Sequence, residues 1–128
     1  AGLFATLHLA RAGVLVTLLE RGQPVDRRGA DIGAMFTRRA PVLPESNMCF
    51  GMGGAGTWSD GKLTTGIGKN SAGVRAALEE LVALGAPPAI LVQGKPHLGT
   101  DRMVHLLRRT HTELVKLGVE MRYCAKVK

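Results

Sequence analysis

Apolar positions recur at helical spacing from the start of this 128-residue chain. In "AGLFATLHLARAG", Leu3, Phe4, Leu7 and Ala10 share one face and Gly13 supplies a stop, which predicts a helix over 1–13. The pattern then changes to a near-continuous apolar run, "VLVTLLE" at 14–20, as in a strand covered on both faces of a parallel sheet. Residues 21–47 carry Gly22, Pro24, Gly29, Gly33, Pro41 and Pro44, predicting loops with a short helix at 31–39. A glycine-rich segment occupies 51–68. Ser71 is placed to cap a helix through Leu84, with Val74, Leu78, Leu81 and Val82 inward and Gly85 ending it. "PPAILV" at 87–92 reads equally as helix or strand. After Thr100, a second cap, comes the clearest helix, with Met103, Val104, Leu107, His111, Leu114 and Val115 repeating and Gly118 closing it. "VEMRYCAKV" at 119–127 alternates as a strand does. Helices interleaved with apolar strands give an α/β class with a parallel sheet.

Composition narrows the picture. Apolar residues make up 45% of the chain, enough for the core of one domain, so wholesale disorder is excluded. The 17 glycines cluster, which points to special loops and away from a fibrous repeat. A net charge of +7 suits an anionic partner: nucleic acid, a phosphate-bearing cofactor or a membrane surface. The basic residues are scattered, in pairs at Arg27–Arg28, Arg38–Arg39 and Arg108–Arg109, so no nucleic acid is expected. Cys49 and Cys124 form neither a disulfide framework nor a metal-binding pair. The apolar run at 14–19 is too short for a membrane span. The expected setting is soluble, cytoplasmic or organellar. The helical pattern begins at Ala1 with no cap and no preceding strand, so the chain reads as a fragment whose true start is missing.

Two stretches carry candidate chemistry. Gly2 opens the first helix and Glu20 ends the following strand, an arrangement seen at the end of a G-x-G-x-x-G dinucleotide fingerprint and its ribose-binding acid. An ordinary helix–strand pair satisfies the same two residues. "GTWSDGKL" at 56–63 approaches a phosphate-cradling P-loop but has Leu63 where Ser or Thr holds Mg²⁺. A P-loop-like nucleotide-binding protein and a basic nucleic-acid-binding module are therefore the alternative classes. Five glycines in "GMGGAGTWSDGKL" (51–63) need a physical reason, since each costs backbone entropy on folding.

"LLERG" with "VDRRGADIGA", "ESNMCFGMGGAGTWSDGKLTT", "GKPHLGTDRMVHLLR" and "LGVEMRYCAKV" together resemble one family, in consistent order from Ala1 to Lys128. This is the FAD-dependent oxidoreductases, or FAD-dependent dehydrogenases, of the glutathione-reductase-like flavoprotein fold. The resemblance implies a partial Rossmann-like FAD/NAD(P)-binding domain over 1–128, with the first strand and the leading fingerprint glycines ahead of Ala1. It implies FAD as cofactor, NAD(P)H as electron donor or acceptor, and a small-molecule substrate. By position, Gly2 corresponds to the third fingerprint glycine and Glu20 to the ribose-binding acid. Arg21 and Arg28 correspond to phosphate or ribose contacts. Gly53, Gly54 and Gly56 correspond to the glycine-rich element near the flavin, flanked by Ser59, Asp60 and Lys62. Val127 corresponds to the strand end that meets adenine. Met52 departs from the family, which has an acid there. The catalytic residues and the substrate stay unassigned, and no metal is implied.

Individual side chains have plainer readings beside these. Trp58 either covers a cofactor face or packs in its loop. Lys62 either stabilises a reduced flavin or is solvated. Asp60 reads as a turn-holding residue, Cys49 as a buried thiol and His8 as a packed residue. His97 is the histidine placed in a loop of special chemistry, whereas His105 and His111 miss the spacing of a helical metal pair. Without a central first strand, the isolated polypeptide is expected to hold FAD weakly and to aggregate through bare apolar edges.

Overall fold

The computed structural model describes residues 1–64, 66 and 71–127; the expected spans 1–128 and 51–68 reach beyond them. The described residues form a mixed α/β chain. Its elements are α1 (Gly2–Arg11), β1 (Thr17–Leu19), α2 (Val25–Thr37), α3 (Ala72–Ala83), α4 (Thr100–Lys116) and β2 (Glu120–Arg122). Short 3-10 helices occupy Ala55–Trp58 and Pro88–Leu91. β1 and β2 pair in parallel, Thr17 opposite Glu120 and Leu19 opposite Arg122. The α/β class stands, but among the described residues the sheet stops at two strands.

The chain divides into two compact units, Ala1–Ala55 with Thr110–Lys128, and Gly56–Arg109. In the first unit α1 packs on β1, burying Leu7 and Ala10. α2 buries Val25, Arg28 and Ile32, a stripe at i, i+3 and i+7, and Met52, Leu114 and Val119 are buried in the same unit. In the second unit α3 packs against the 3-10 helix at Pro88–Leu91. Leu84, Ala86, Ile90, Leu98, Leu106 and Leu107 are buried there.

Several expectations change. The 14–20 run pairs over three residues, because the partner strand supplies only three. Its faces are not both covered: Val14 and Leu19 are about half exposed and Leu15 is 95% exposed. The helix expected at 31–39 begins at Val25 instead, after Pro24 at its cap, and runs through Gly29 and Gly33. Within 87–92, Pro88–Leu91 form a 3-10 helix. The strand expected over 119–127 ends at Arg122, and Cys124 then adopts a left-handed backbone with φ 54°. Ser71 does cap α3, its Oγ accepting from the Val74 amide at 3.2 Å. Thr100 instead donates its hydroxyl to the Ser59 carbonyl at 2.7 Å. On α4 the buried face runs through Leu106, Leu107, Thr110 and Leu114, and Val115 is exposed.

Candidate functional site

A short turn joins the end of α1 to β1, and a Cβ on Gly2 would lie 3.7 Å from Leu18. The amino end of α1 therefore lies toward the carboxyl end of β1. That end is elaborated by backbone bonds. The Glu20 amide donates to the Arg122 carbonyl at 2.8 Å, and Ala125 donates back to the Glu20 carbonyl at 3.0 Å. Glu20 Oε1 accepts from the Gly22 amide at 2.8 Å, which fixes the carboxylate at the strand end. The Met52 amide donates to the Gln23 carbonyl at 3.0 Å, attaching the glycine-rich loop just beyond β1. Gly53 and Gly54 follow with φ of 89° and 67°, and a Cβ on Gly54 would meet no atom within 4 Å. Val127 follows β2 and is largely exposed.

The two candidate arginines are occupied within this unit. Arg21 pairs with Glu45 and lays its guanidinium 4.0 Å from the centre of the Phe50 ring. Lys126 pairs with the same carboxylate at 2.8 Å. Hydrogen bonds from Arg21 and Lys126 hold Glu45 below the usual carboxylate range. Arg28 is fully buried. It donates to the carbonyls of Asn47 (3.0 Å), Met48 (2.9 Å), Met52 (2.9 Å) and Gly51 (3.4 Å). Burial lowers its pKa, opposed by the field of Glu20. Its guanidinium therefore organises the loop from behind, a role the sequence pattern does not announce.

Within the Gly56–Arg109 unit, residues 59–63 are laced to 96–100. Gly99 donates to Asp60, Leu98 to Gly61 and Leu63 to Pro96, at 2.9–3.1 Å, and Lys62 bridges His97 in antiparallel fashion. Ser59 Oγ donates to the Gly56 carbonyl at 3.0 Å. Asp60 and Lys62 pair at 2.8 Å; that bond lowers the carboxylate and raises the ammonium pKa. Asp60 thus holds a turn, as its position suggests. Among the described residues, 62–64 are not helical, whereas a P-loop continues as a helix from its lysine. Thr57 Oγ1 and Trp58 Nε1 are buried without hydrogen-bond partners.

Other side chains differ from expectation. Cys49 is exposed, on a turn whose amides at 49 and 50 donate to Asn47 Oδ1. His8 is exposed as well. His111 stacks on Tyr123 with centroids 6.1 Å apart. The Tyr123 hydroxyl donates to the Met52 sulfur at 3.3 Å, which places the buried Met52 against a phenol. Neither Tyr123 nor the close backbone approach of Gly22 to Gly51 is announced by a sequence motif. Among the described residues no three His, Cys, Asp or Glu side chains gather as metal ligands, and no helix is long and apolar enough to cross a membrane.

No family model matches the chain. It is similar to an uncharacterized protein of Clostridium beijerinckii, with 39% identity over 127 residues. The match covers 99% of this chain and 23% of that relative, so the chain spans about a quarter of the relative's length.

Proposed function

We propose that this chain supplies part of the FAD-binding domain of an FAD-dependent oxidoreductase acting on a small-molecule substrate. The observation that carries the proposal is the attachment of Gly2, Glu20 and the Gly53–Gly54 turn to the carboxyl end of the β1–β2 pair. Ligands of open α/β sheets bind outside the carboxyl ends of the strands.

The residues present suit the cofactor in specific ways. The first turn of α1 has no side-chain cap and no acidic residue, so its N–H groups suit a pyrophosphate. Glu20 is held at the strand end, where a carboxylate accepts from ribose hydroxyls. Gly54 combines a left-handed backbone with open space where a side chain would stand, which admits a flat ligand against bare main chain. Arg21 and Arg28 suit a supporting role, because both guanidiniums are already engaged by protein groups. Val127, beyond β2, is the proposed adenine neighbour. Gly56, Ser59, Asp60 and Lys62 belong to the second unit and are proposed cofactor neighbours from the resemblance alone. When bound, FAD supplies hydride or electron transfer, with NAD(P)H as its exchange partner; the protein binds and orients it.

The test is a titration of the ¹⁵N-labelled chain with FAD, ADP or riboflavin, followed by amide shifts, which register weak binding as well as tight. FAD is expected to move Gly2, Glu20, Gly53 and Gly54, and ADP to move Gly2 and Glu20 without the glycine turn. Unmoved amides at all four positions at millimolar FAD would overturn the proposal.

A further inference from the structure

We infer that Arg28 is a positioning residue that sets the glycine turn before any ligand arrives. The assignment of that turn to FAD rests on the flavin reading; the positioning itself rests on geometry. Arg28 sits on α2, three residues after the first residue of that helix, and reaches four carbonyls between Asn47 and Met52. Those carbonyls belong to the segment that delivers Gly53 and Gly54. A loop with so many inward carbonyls has no ladder of its own, so its shape depends on a buried donor.

The chemistry selects arginine. Four acceptors spread over six residues need a planar fork with several N–H groups; a lysine ammonium is a compact point donor. The neighbouring backbone is fitted to the same side chain. A Cβ on Gly51 would stand 2.5 Å from Arg28 Cδ and 2.9 Å from its Nε, and Gly51 has φ 120°. Gly51 is thus bare because the arginine stem occupies its side-chain space. The Asn47 side chain supplies the second clamp. It accepts from the Cys49 and Phe50 amides, while its Nδ2 donates to the Leu43 carbonyl at 2.7 Å. Helix α2 and the glycine turn therefore form one preset piece, and a ligand meets a loop whose ordering has already been completed.

Amide hydrogen exchange of the ligand-free chain, in wild type and in Arg28→Lys and Arg28→Ala, is the direct test. Both variants are expected to exchange at least about tenfold faster over residues 48–54, the scale of one lost charge-assisted hydrogen bond. Amides of α3 should be unchanged, which separates loop loosening from global unfolding. Low-millimolar methylguanidinium should restore protection to Arg28→Ala, and methylammonium should not. FAD-induced shifts at Gly53 and Gly54 should shrink in Arg28→Lys and return in Arg28→Ala with methylguanidinium. Wild-type exchange over 48–54 in Arg28→Lys would overturn the inference whatever FAD does. A loosened loop in a protein whose wild type ignores FAD would sink the flavin reading and leave the positioning role standing.

Discussion

Gly22 and Gly51 meet main chain to main chain. A Cβ on Gly22 would stand 2.6 Å from the Cα and N of Gly51 and from the Glu45 carbonyl oxygen. All three obstacles are backbone, which cannot swing aside as the end of a side chain can. Gly22→Ala is therefore expected to cost about 1–3 kcal/mol, the usual cost of overpacking. Gly33, inside α2, has nothing within 4 Å of its Cβ position. Gly33→Ala should stabilise by about 1 kcal/mol through helix propensity. Urea unfolding of the two variants checks both signs; equal shifts in one direction would contradict the close approach.

Thr57 is fully buried, and its hydroxyl has no hydrogen-bond partner. A buried unpaired hydroxyl carries its desolvation cost of roughly 1–3 kcal/mol with no return. Thr57→Val keeps the shape and removes the polar atom, so the variant should be as stable as wild type or more so. A clear fall in the thermal midpoint would mean that the hydroxyl has a partner.

Burial pushes the Tyr123 phenol up to about 12, with the charges of Glu20 and Asp26 adding to the rise. The fold thus favours the protonated phenol. Its contribution is whole below pH 10, the ordinary value, and is lost as pH rises from 10 towards 12. Tyr123 is the single tyrosine of the chain, so phenolate absorbance reports it alone. The titration should run about two units late in the folded chain and return to the ordinary value in urea. Tyr123→Phe should flatten the decline of stability above pH 10.

Leu15 is 95% exposed beside a strand whose other edge has no partner among the described residues. An apolar, unpaired edge templates association between copies. Light scattering of the chain should rise with concentration, and Leu15→Lys should reduce it several-fold without lowering the thermal midpoint. Scattering unchanged by the substitution would place the association elsewhere.

What was legible in the sequence was local. Ser71 bonds to an amide three residues on, and a cap rule needs nothing further away. α1, α3 and α4 declare themselves by spacing, although the inward face of α4 turns toward Leu106 and Thr110 and leaves Val115 outside. α2 was hidden because Gly29 and Gly33 weaken its propensity while Val25, Arg28 and Ile32 anchor it by burial. Strand lengths were overread because a strand extends only as far as its partner, and Cys124 bends away where alternation continues. Gly2, Glu20 and Gly54 could be singled out from spacing and resemblance. Arg28 was found, but its direction was not: an arginine facing a phosphate and one facing four carbonyls have the same sequence signature.

The pairing of Thr17 with Glu120 places about a hundred residues between two neighbouring strands. Bringing such distant partners together is slow, because chain closure must precede the contacts that reward it. The stretch Gly56–Arg109 has its own core and lies wholly inside that interval. During synthesis β1 emerges well before β2, so the pair waits for Glu120–Arg122 to leave the ribosome. The intervening stretch is free to fold meanwhile, which makes Glu120–Arg122 the latch that closes this pair of strands.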